Sequence, residues 1–134
     1  MAAKTVLIAD DDATTVTLIS AALRKSGVQV TIARDAMQAV MGTHRTRPDL
    51  ILLDVNMPGG TGLSALQKIK ASTHTQLTPV IVISGSEDAG MAQKVLDLGA
   101  VEFVKKPVNV ADLQRKACEL LGLLQPGGDG QTAA

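Results

Sequence analysis

The residues best suited to chemistry are acids at the ends of apolar runs. Asp10, Asp11 and Asp12 follow Val6-Leu7-Ile8-Ala9, and Asp54 follows Leu50-Ile51-Leu52-Leu53. Ser84-Gly85 closes a further run, and Lys105-Lys106-Pro107 closes another. An acid after so apolar a segment is costly unless it has a partner or a purpose. If the acids meet, crowding raises the pKa of at least one of them. Two remedies fit. One is a hard dication with oxygen ligands, which suits Mg²⁺; the other is the ammonium of Lys106. A metal, a lysine and a hydroxyl together stabilise an anion with several oxygens, such as a phosphoryl group. A central carboxylate can itself be the nucleophile.

These groups need elements to bring them together. Aliphatic runs begin at residues 5, 28, 50, 79 and 101. The first, third and fourth are continuously apolar, as strands covered on both faces are. Val28-Gln29-Val30-Thr31-Ile32 alternates, and Val101-Glu102-Phe103-Val104 is broken by a charge, so these two read as edge strands. Helical patterns lie between the runs. Val16, Ile19 and Leu23 precede a stop at Gly27. Asp35 caps a helix bearing Ala36, Ala39, Val40 and Thr43, which ends before Pro48. Leu63, Leu66 and Ile69 mark a third, and Met91, Val95 and Leu98 a fourth closed by Gly99. Val110, Leu113, Ala117, Leu120 and Leu124 mark the fifth. Strand-helix alternation of this kind gives an α/β fold, a doubly wound parallel sheet with helices on both faces. Ligands then bind beyond the carboxyl ends of the strands, where the acids, the hydroxyl and the lysine all fall.

Composition narrows the function. The chain has 134 residues with thirteen basic and thirteen acidic side chains, one Phe and neither Trp nor Tyr. One domain fits this length. Zero net charge and an almost aromatic-free composition argue against direct nucleic-acid binding. One cysteine, Cys118, excludes an internal disulfide and a zinc-finger spacing. There is no signal-peptide pattern and no apolar run near the roughly 20 residues of a membrane span, so no membrane insertion is expected and the location reads as cytoplasmic. No Gly-x-Gly-x-x-Gly or Gly-Lys-Ser/Thr loop occurs.

Four segments stand in order at strand ends: Val6-Leu7-Ile8-Ala9-Asp10-Asp11, Asp54-Val55-Asn56-Met57-Pro58 with Gly62, Val82-Ile83-Ser84-Gly85, and Phe103-Val104-Lys105-Lys106-Pro107. Together they resemble the receiver domain of bacterial two-component response regulators, over nearly the whole chain. The resemblance implies the flavodoxin-like strand order 2-1-3-4-5, a receiver domain at residues 1–124 and a flexible tail at 125–134. It implies that Asp54 is the phosphoacceptor, taking a phosphoryl group from the phosphohistidine of a histidine kinase or phosphotransfer protein. Mg²⁺ ligands would be Asp10, Asp11, Asp54 and the Asn56 carbonyl, with Asp10 acting through water. Lys106 and Ser84 would bind the phosphoryl group, and Ser84 and Phe103 would form the switch. Pro58, Gly62, Gly85 and Pro107 would shape the loops, with a cis Lys106-Pro107 peptide. Asn56 and Ser86 lie at positions that tune the phosphoryl lifetime. The downstream target would meet the surface of the fourth helix, fifth strand and fifth helix.

Several residues read more plainly. Asp12 is a helix N-cap, Lys105 a solvated edge lysine, Cys118 a small buried hydrophobe, and the methionines core filler. His44 and His74 are surface residues. Two other functions compete with a stand-alone switch that has only weak self-dephosphorylation. Asp10-x-Asp12-x-Thr14 fits the first motif of haloacid-dehalogenase-like phosphatases, with Asp10 as nucleophile. Such enzymes need a late acidic pair, where this chain has Ser84-Gly85 and lysines. The third is the receiver part of a larger regulator.

Overall fold

The structure, a computed structural model, describes residues 3–57, 62–85 and 89–123. The aliphatic runs form strands β1 (Thr5–Ala9), β2 (Gln29–Ala33), β3 (Leu50–Asp54), β4 (Val80–Ser84) and β5 (Glu102–Lys105). Helices α1 (Ala13–Lys25), α2 (Ala36–Thr46), α3 (Gly62–Ala71), α4 (Met91–Asp97) and α5 (Val110–Leu121) alternate with them. All strand pairs are parallel, in the order β2-β1-β3-β4-β5. The two interrupted runs are the edges, and β3 and β4 are buried at every residue. Burial on both faces is what demands their unbroken apolar sequences.

The period of two along each strand sorts the side chains onto two faces. Val6, Ile8, Leu50, Leu52, Ile81 and Ile83 pack with α1 and α5 through Val16, Ile19, Leu23, Leu113, Ala117 and Leu121. Leu7, Ala9, Ile51, Leu53, Val80 and Val82 pack with α2, α3 and α4. Phe103 is half-buried against this second cluster. Helix starts are fixed locally. Asp12 accepts from the Thr14 N–H, Asp35 from Gln38 and Asn109 from Asp112. Asp12 and Asp35 were legible as caps.

Some expectations need correction. β2 begins at Gln29, and Val28 lies buried in the turn before it. Leu120 is 43% exposed. The buried face of α5 centres between Ala117 and Leu121 and takes in Cys118, which leaves Leu120 at its rim. Met57 is buried, but Met37 and Met41, one turn apart on α2, are exposed and fill no core. Pro58, Ser86, Leu124 and the tail 125–134 lie outside the described residues.

Candidate functional site

Parallel strands end at one rim, and the expected residues gather there. Asp10 follows β1, held by its N–H donating to the Ala33 carbonyl of β2 at 3.0 Å. Its carboxyl is 1% exposed, and Oδ1 accepts from the Asp12 N–H at 2.9 Å. Asp54, the last residue of β3, is 3% exposed, and its Oδ1 accepts from the Asn56 N–H at 2.8 Å. Asp11 stays exposed. One carboxylate oxygen from each of Asp10, Asp11 and Asp54 lies within 4.8 Å of the others. From β5, the Lys106 Nζ reaches Asp10 Oδ2 at 3.1 Å and Asp54 Oδ2 at 3.2 Å. The Lys106 N–H pairs with the Ser84 carbonyl at 2.9 Å, which fixes the lysine beside β4. The Lys106-Pro107 peptide is cis.

Among the described residues the charges are unbalanced, with the carboxylates of Asp10, Asp11 and Asp54 against the Lys106 ammonium. Burial pushes the Asp10 carboxyl up, and the Asp54 charge adds to this; the Asp12 N–H and Lys106 oppose it. Burial alone would pull the Lys106 ammonium down, but the hydrogen bond to Asp10 and the charges of Asp54 and Asp10 outweigh it, so its pKa rises. Lys106 therefore remains charged. Asp12 is different in kind. The Thr15 hydroxyl donates to its Oδ2 at 2.7 Å and holds its carboxyl low, as expected of a cap.

The site fits a hard dication. The buried Asp10 Oδ2 meets the Lys106 ammonium at 3.1 Å, and Asp54 Oδ2 shares that same ammonium at 3.2 Å. One positive charge divided between two buried carboxylates, with Asp11 beside them, leaves negative charge that a further cation would balance. The donor set is all oxygen, which suits Mg²⁺.

The remaining expected residues take distinct places. Ser84 is fully buried, and its hydroxyl donates to Asn56 Oδ1 at 2.9 Å. Gly62 starts α3 against the turn after β3, where a Cβ would stand 2.2 Å from Val55 Cα. At Gly85 a Cβ would make only ordinary contact with Lys106, at 3.9 Å. Lys105 is exposed, as are His44 and His74, and Cys118 is buried. Sequence reasoning assigned Asn56 a metal-binding carbonyl and a place among the lifetime-tuning positions, but not the hydrogen bond that its side chain accepts from Ser84. It also missed a cleft of about 460 Å³ between α1 and the loop before α5. Leu18, Ile19, Pro107 and Val108 line this cleft, with Asp12, Thr15 and Lys106 at its polar end.

The comparisons agree with this geometry. The response regulator receiver domain family matches residues 6–117. A transcriptional regulatory protein PrrA of Mycobacterium leprae is 34% identical over 87% of this chain and 49% of its own length. A protein-glutamate methylesterase/protein-glutamine glutaminase of Archaeoglobus fulgidus is 37% identical over 90% of this chain and 35% of its own. The chain thus spans about half or less of the length of these relatives. The receiver domain of sensor histidine kinase PA1611 from Pseudomonas aeruginosa PAO1 superposes with a TM-score of 0.81 at 32% identity, over 90% of this chain and 99% of that one. That structure holds a magnesium ion in its active-site cleft. This chain belongs to the response regulator receiver domain family of two-component signalling, whose members act as phosphorylation switches. No helix among the described residues is long and apolar enough to cross a membrane.

Proposed function

We propose that this protein is a phosphoacceptor switch in which Asp54 takes the phosphoryl group from a phosphohistidine of a histidine kinase or phosphotransfer protein. The observation that carries this is the meeting of the Asp10, Asp11 and Asp54 carboxylates within 4.8 Å, with Lys106 Nζ about 3 Å from two of them. In the transfer, the P–N bond of the donor breaks and a P–O bond to an Asp54 oxygen forms. The departing imidazole keeps the electron pair and takes a proton from solvent. Asp10, Asp11, Asp54 and the Asn56 carbonyl would hold Mg²⁺, which neutralises the charge on the phosphoryl oxygens when bound. Lys106 supplies a fixed positive charge on the β5 side. Ser84 donates its hydroxyl to the phosphoryl group from β4. The apolar cleft beside Lys106 gives a protein donor a surface next to the acids.

Once Ser84 turns toward the phosphoryl group, Phe103 gains room to move inward, since both lie on the α2-α3-α4 side of the sheet. The output face is then α4, β5 and α5. We read the protein as a stand-alone cytoplasmic receiver without a further substrate. The receiver part of a longer regulator is the second reading, favoured by the length of the relatives.

Labelling with a phosphorylated histidine kinase tests the core of this. Asp54→Asn abolishes uptake, whereas Asp10→Asn weakens it through the metal. A fully labelled Asp54→Asn protein overturns the assignment. Labelling lost in Asp10→Asn alone would revive the phosphatase-like use of Asp10.

A further inference from the structure

Ser84 and Asn56 meet in a way that phosphoryl transfer does not itself require. The hydroxyl of the fully buried Ser84 donates to Asn56 Oδ1 at 2.9 Å. Asn56 is exposed and lies in the turn after β3, and its own N–H donates to the Asp54 carboxylate at 2.8 Å. The turn that follows the acceptor acid therefore also grips the hydroxyl of the next strand. A serine hydroxyl has one hydrogen to donate. A phosphoryl group brings acceptor oxygens and needs that same hydrogen. Asn56 Oδ1 and a phosphoryl oxygen on Asp54 are rival acceptors for Ser84, and Ser84 cannot serve both.

We propose that Asn56 is a positioning residue whose side chain holds Ser84 in the resting orientation, so that residue 56 sets how far the unphosphorylated protein samples the activated state. The inference rests on the reading of Ser84 as the phosphoryl partner. It adds a role for the Asn56 side chain, separate from the carbonyl assigned to the metal. Activation exchanges one acceptor for another, and the bias of the switch depends on the acceptor given up. A resting hydrogen bond between neutral groups of this kind shifts a two-state ratio by about fivefold.

The composition supplies the probe. Phe103 is the only aromatic ring besides the two histidines, so its ring-proton resonances form a single assignable spin system. They are recorded for the metal-free protein and for protein saturated with Mg²⁺ and beryllofluoride, whose bound fluorine signal reports acceptor-site occupancy separately. In metal-free Asn56→Ala, the Phe103 resonances move from the resting toward the saturated position, by about a fivefold rise in the activated-to-resting ratio. Asn56→Asp keeps an acceptor oxygen and stays at the resting end, which a merely disruptive change would not do. In a Ser84→Ala background, Asn56→Ala adds no displacement. The proposal is overturned if Asn56→Ala sits at the wild-type position, or if Asn56→Asp moves as far as Asn56→Ala. A bound fluorine signal with wild-type Phe103 unmoved on saturation removes the switch reading instead, and this inference with it. Absence of bound fluorine removes the acceptor-site reading.

Discussion

Among the described residues Lys106 is the one cation beside the three carboxylates, and its removal separates two demands on the site. In Lys106→Met, Asp10 and Asp54 stay buried with no counter-charge, so the metal-free protein loses about 1–3 kcal/mol. Mg²⁺ then replaces the missing charge. In the wild type, Mg²⁺ at ten times its dissociation constant adds about 1.4 kcal/mol of stability. The variant gains more from the same concentration, because no ammonium competes for the oxygens. Urea melts with and without Mg²⁺ check this, and an equal gain in both proteins contradicts it. At this scale the sequence was informative. Asp10, Asp54, Ser84 and Lys106 each end an apolar run, and a parallel sheet carries such ends to one rim. The Asn56–Ser84 hydrogen bond was not legible, because its partners stand 28 residues apart and only the folded turn brings them together. The exposed Met37 and Met41 were misread because side-chain type says little about which side of a helix faces the core.

Among the elements, the join between β3 and α3 is the least forgiving. A Cβ on Gly62 would stand 2.2 Å from Val55 Cα and 2.8 Å from the Asp54 carbonyl oxygen. Backbone cannot give way there as a flexible side chain would. Gly62→Ala costs about 3 kcal/mol by denaturant midpoint. It also displaces the strand end that carries Asp54, so phosphoryl uptake falls even where the protein stays folded. An Ala variant with wild-type stability and uptake contradicts this packing. At the other end of the molecule, α5 is tied to α1 by Gln114, whose Nε2 donates to the Ala22 carbonyl at 2.9 Å and to Ser26 Oγ at 2.8 Å. The order and type of the elements followed from periodicity and from the caps Asp12 and Asp35. Their exact ends did not, as β2 and Leu120 show. A one-residue shift changes which side chain meets the core without changing the apolar count.

For the molecule as a whole, the two faces of the sheet divide the labour. Asp10 and Asp54 continue the rows packed under α1 and α5, whereas Ser84 and Phe103 belong to the face under α2, α3 and α4. In the proposed switch, a signal begun at the acids crosses the sheet at β4. On saturation with Mg²⁺ and beryllofluoride, amide resonances of α4, β5 and α5 shift more than those of α2. Shifts confined to the strand ends refute the output surface. The burial of Cys118 has a practical consequence for such experiments. The single thiol is sealed inside the helix packing, so the native protein resists alkylating reagents without any cysteine being replaced. Leu77 is 91% exposed in the loop before β4, at the rim opposite the acids. Leu77→Cys thus offers one reactive position for a fluorophore or spin label, remote from the phosphoryl chemistry it would report on.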